Sequence, residues 1–79
     1  MKKSVDFALD DHPDGHELPG TAWAVAIVDD CDGCDDLRVE LTVEERGRNG
    51  EGLTVHLTPA SARRLGAAIS SALKELGEP

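Results

Sequence analysis

Between Leu37 and Glu45 the chain alternates without a break, with Leu37, Val39, Leu41 and Val43 falling to one side and Arg38, Glu40, Thr42 and Glu44 to the other. A side-chain period of two belongs to a β-strand with one apolar and one wet face. This stretch therefore commits the chain to a sheet whose apolar face must be covered by another layer. Three further segments join it. Val5, Phe7 and Leu9 alternate with Ser4, Asp6, Ala8 and Asp10, which predicts a first strand over about 3 to 10. A second strand is predicted over about 21 to 29, with Trp23, Val25 and Ile27 on one face and Ala22, Ala24, Ala26 and Val28 on the other. Neither of its faces is polar, so it is expected to be the most buried strand. The fourth, Leu53 to Leu57, turns Leu53, Val55 and Leu57 inward and Thr54 and His56 outward. Residues 11 to 20 hold two prolines and two glycines and read as a loop, and Asn49-Gly50 suits a type I′ hairpin turn before the fourth strand.

The period then changes. Thr58-Pro59 is a helix start, with a threonine hydroxyl to cap a free N–H and proline where its missing donor costs nothing. From Pro59 to Leu76 the apolar residues Ala62, Leu65, Ile69, Ala72, Leu73 and Leu76 recur at three and four and form one stripe. Gly77 is placed to cap the C-terminus. An 18-residue helix is about 27 Å long, close to the span of a nine-residue strand, so it is expected to cover the inner sheet face. The expected fold is α+β, a four-stranded antiparallel sheet (ββββα) with the helix on one face, in one domain over residues 1–79.

Eight Lys and Arg against sixteen Asp and Glu give a net charge of −8, which argues against direct binding to nucleic acid or to an anionic membrane. The longest apolar run, Ala22 to Val28, is far short of a bilayer span, and Met1-Lys2-Lys3-Ser4 does not lead into a signal-peptide core. A cytoplasmic protein is the expectation. Leu, Ile, Val and Phe number 18 in 79 residues, so the core is modest and a second copy would help it.

Asp29-Asp30-Cys31-Asp32-Gly33-Cys34-Asp35-Asp36 joins strands two and three, and a Cys-x-x-Cys pair can chelate zinc through both thiolates. His12 and His16 have the spacing of a zinc-finger histidine pair, but a meander holds them about 25 Å from the cysteines. His56 is the histidine that could join Cys31 and Cys34, with an aspartate as a further ligand. Free thiols in a polar connection and a Cys31 to Cys34 disulfide are the other readings of this loop. Redox chemistry fits poorly, because neighbouring aspartates raise a thiol pKa. A calcium loop fails as well, because Val28 and Val39 stand where the EF-hand pattern places its first and twelfth ligands.

No serine sits in a nucleophile elbow and no glycine-rich phosphate cradle follows a strand. A hydrolase using His12 or His16 is the weakest of three readings, and the protein is expected not to be an enzyme. The outer sheet face holds Ala8, Ala22, Ala24, Ala26, Val28, Thr42, Thr54 and His56, a small and lightly charged surface suited to packing against another protein. Arg63 and Arg64 oppose the helix dipole and so are not there for helix stability; they read either as ordinary surface residues or as the positive contact of a mostly negative protein.

The segment Leu57-Thr58-Pro59-Ala60-Ser61-Ala62-Arg63-Arg64-Leu65-Gly66-Ala67-Ala68 resembles the Leu-Thr-Pro-x-x-Ala-Arg-x-Leu-x-x-Ala ending of many small uncharacterised actinobacterial proteins. That resemblance covers 12 of the 79 residues and implies origin, with no assigned activity. Two functional expectations follow from the residues. One is a non-enzymatic acidic module that binds a protein partner as a homodimer, through Ala22, Ala24, Ala26, Val28 and His56, or an edge strand, with Arg63 and Arg64 as contacts. Mimicry of nucleic acid toward a DNA-binding partner is one form of it. The other is a small zinc protein organised by Cys31, Cys34 and His56, with zinc its only candidate cofactor.

Overall fold

A computed structural model describes residues 2–10, 20–29, 36–48 and 50–78. The strands are β1 (Lys2–Asp10), β2 (Thr21–Asp29), β3 (Leu37–Glu45) and β4 (Leu53–Leu57), followed by helix α1 (Pro59–Glu75). They form one antiparallel sheet in the order β1-β2-β3-β4. The α+β, ββββα expectation holds, and each element falls within a residue or two of its predicted bounds. The two connections flanking β2, which carry His12, His16, Cys31 and Cys34, lie outside the described residues, as does Asn49 of the expected hairpin turn.

Both ends of α1 are closed by the chemistry read from the sequence. Thr58 has extended backbone angles and its hydroxyl accepts from Ser61 N at 3.1 Å, with Pro59 following as the first helical residue. At the other end Gly77 has φ +84°. Its N–H donates to Lys74 O at 3.0 Å, and Glu78 N donates to Leu73 O at 2.9 Å, the paired bonds of a Schellman ending. A left-handed residue is needed there, and glycine takes that conformation without a Cβ penalty.

The β2–β3 register is regular from Thr21↔Glu45 to Asp29↔Leu37, and the β3–β4 register from Val43↔Leu53 to Val39↔Leu57. Residues paired across an antiparallel ladder share a face. Trp23, Val25 and Ile27 therefore line up with Val39, Leu41, Val43, Leu53, Val55 and Leu57 on the helix side. The β1–β2 register breaks once. Lys2 and Ser4 pair with Val28 and Ala26, but Asp6 pairs with Val25 and Phe7 with Ala24, leaving Val5 unpaired. One extra residue in a strand reverses every side chain beyond it.

The bulge corrects the outer-face assignment. Ala8, opposite Trp23, and Asp6, opposite Val25, lie on the helix side, whereas Phe7 and Leu9 lie on the outer face beside Ala24 and Ala22. They are 62% and 54% exposed. The expected covering of the inner face by α1 is also only half realised, because the helix lies over β3 and β4 and leaves the β1 side of that face open. Among the described residues the only buried apolar side chains are Ala26 and Val28, which lie on the outer face, away from the helix.

Candidate interaction surfaces

The outer face divides along the strands into a polar half and an apolar half. In the polar half Lys2 Nζ lies 2.8 Å from Glu40 Oε1, and His56 Nε2 lies 3.1 Å from Glu40 Oε2. The three residues sit on β1, β3 and β4, so the Lys2 side chain crosses β2 between Val28 and Ala26 to reach Glu40. Val28 and Ala26 are 6% and 4% exposed on this nominally open face. Lys2 and Arg38 pair with Val28 from the two neighbouring strands, and Glu40 with Ala26, where long charged side chains can shield apolar surface. Glu40 is itself well shielded, with a side chain 13% exposed. The hydrogen bond from Lys2, helped by His56, holds its carboxyl below the ordinary carboxylate range against an opposing effect of desolvation. Next to it Arg38 pairs with Asp36 at 3.0 Å.

The apolar half comprises Phe7, Leu9, Ala22 and Ala24, bordered by Thr42 and Thr54, whose hydroxyls lie 3.0 Å apart. Of the residues expected to meet a partner, Ala22 and Ala24 belong to this half, Ala26, Val28 and His56 to the polar one. Arg63 and Arg64 are exposed on α1, on the opposite side of the sheet. The structure therefore does not gather the expected contact residues into one surface. Phe7 and Leu9 were not among them, since only the bulge turns them outward and nothing in Ser4-Val5-Asp6 announces it.

The helix side is the larger apolar surface. A cleft of about 660 Å³ opens between α1 and the sheet, among Trp23, Val25, Leu41, Leu57, Leu65 and Ile69. Protein interiors leave few voids larger than a water molecule, so the described residues leave the layer between α1 and the sheet incompletely packed. The helix stripe stays exposed around and beyond it, at 40% for Leu65, 54% for Ile69, 41% for Leu73 and 78% for Leu76.

Among the described residues no three His, Cys, Asp or Glu side chains come together as metal ligands. Cys31 and Cys34 lie outside those residues, and His56 is placed by Glu40. Among the described residues no helix is long and apolar enough to cross a membrane. No protein-family model, curated protein or solved structure matches the chain.

Proposed function

We propose that the protein is a non-enzymatic interaction module that works as a homodimer and offers an acidic surface to a protein partner. The observation that supports it is the open helix side. The chain exposes 6296 Å², where a compact monomer of 8.4 kDa is expected to expose about 4,600 Å². Its radius of gyration, 14.8 Å, likewise exceeds the roughly 12 Å of a compact chain of this length. The excess, roughly 1,700 Å² over the whole chain, is of the order that each subunit of an obligate homodimer commonly gives up, and the exposed apolar residues of the helix side contribute only part of it. A net charge of −8 favours a basic partner, attracted at long range and released by salt.

Native mass spectrometry of reduced protein purified without chelator tests both halves of this assignment. The expected species is metal-free and has twice the 8.4 kDa chain mass. A single chain at micromolar concentration overturns the homodimer. One zinc per chain, lost when Cys31 and Cys34 are both replaced by serine, replaces the interaction module with a zinc protein organised by that loop.

A further inference from the structure

We infer that the second copy docks on the helix side of the sheet, about a two-fold axis running along the strands, so that each α1 covers the partner's β1–β2 half. This pairing presupposes the homodimer proposed above and assigns its surface, which is not the outer face that the alanines of β2 suggest. Three observations carry it. First, α1 occupies only the β3 and β4 half of the helix-side face. A two-fold along the strands sets the covered half of one copy against the open half of the other, so the two helices lie side by side in a single layer between two sheets. Both copies then use the same patch, as closed two-fold symmetry requires.

Second, the apolar stripe of α1 runs past the cleft to Leu73 and Leu76, and the cleft lining is apolar throughout. A small ligand would need a few polar groups to orient it and would leave the far end of the stripe bare. An extended protein surface covers both.

Third, the charges match. The helix and its ending hold Arg63, Arg64 and Lys74 against Glu75 and Glu78, a net charge of +1 in a chain of net charge −8, with Arg63 and Lys74 eleven residues apart on one flank. The open half of the same face holds Asp6, opposite Val25, and Asp10, opposite Thr21, with Lys3 lower down opposite Ile27. Thr58 follows Leu57, which is level with Val39, Ile27 and Lys3 across the sheet. Five helical residues rise about 7.5 Å, or roughly two strand residues, which brings Arg63 to the level of Asp6. A two-fold along the strands preserves that level between copies.

Charge exchange at these exposed positions tests the docking without touching the core. Arg63→Glu with Arg64→Glu in one variant, and Asp6→Lys with Asp10→Lys in another, each set like charges together in the homodimer. Each is expected to weaken self-association at least tenfold by sedimentation equilibrium at low salt, with an unchanged circular dichroism spectrum. Mixed in equal amounts, they are expected to recover wild-type affinity as a heterodimer, since both of its contacts then pair opposite charges. Phe7→Glu on the outer face is expected to remain dimeric. If the exchanged variants associate as tightly as wild type, or if mixing fails to restore what each alone has lost, the helix-side docking is wrong and the homodimer stands. Dissociation by Phe7→Glu alone moves the interface to the outer face. A wild-type chain that is monomeric throughout removes the homodimer itself.

Discussion

Glu40 is the residue on which the polar half of the sheet depends. It accepts from Lys2 across one strand and lies against His56 on the next. Its carboxyl is held below its ordinary range in the folded chain, and it regains that range on unfolding. A carboxyl with a depressed folded pKa contributes stability above its unfolded pKa and loses it as the pH falls through the folded one. Melting temperatures followed from pH 7 down through the carboxylate range should therefore fall more steeply for wild type than for Glu40→Gln, with the two curves converging at the acid end. Parallel curves would mean that the bridge has no energetic role. Part of this was legible, since the alternation of β3 puts Glu40 on the wet face and the pattern of β4 puts His56 there too. The reach of Lys2 was not, because it depends on the register of β1 and on the small side chains of β2 that let a lysine lie across them. On the outer face of β2, Ala26 and Val28 are buried, whereas Ala22 and Ala24 are only half-buried beside the exposed Phe7 and Leu9.

At the scale of elements, periodicity located the described strands and the helix, because a period of two and a period of 3.6 are set by backbone geometry. The caps at Thr58 and Gly77 were equally legible, being local chemistry. The facing of β1 was not. Val5, Phe7 and Leu9 alternate as a core strand would, and a bulge at Val5 still sends Phe7 and Leu9 to the outer face. The consequence is measurable. A buried Phe→Ala substitution costs about 3 to 5 kcal/mol, whereas a mostly exposed one costs under about 1 kcal/mol. Phe7→Ala should fall in the second range by urea denaturation, and Trp23→Ala, half-buried on the helix side, should cost more than Phe7→Ala. A cost above about 3 kcal/mol for Phe7→Ala would place that side chain against Trp23 and remove the bulge. The length of α1 alone also overstates how much of the sheet it covers. A helix as long as a strand can lie along a sheet, yet its width of about 10 Å spans roughly two strands at 4.8 Å spacing, not four.

For the whole molecule, that mismatch of one narrow helix against four strands leaves a single chain with an unclosed apolar layer. Two helices side by side would match the width of the sheet, which is the basis of the proposed docking of a second copy. If that proposal holds, folding and association are one process and stability depends on protein concentration. The most direct measurement is urea unfolding of the wild-type chain, followed by Trp23 fluorescence at two concentrations a hundredfold apart. If the core closes only between copies, the higher concentration raises the stability by about 2.7 kcal/mol and moves the midpoint to higher urea. Superimposable, cooperative curves would show that one chain completes its own core and would contradict the dimer at its foundation.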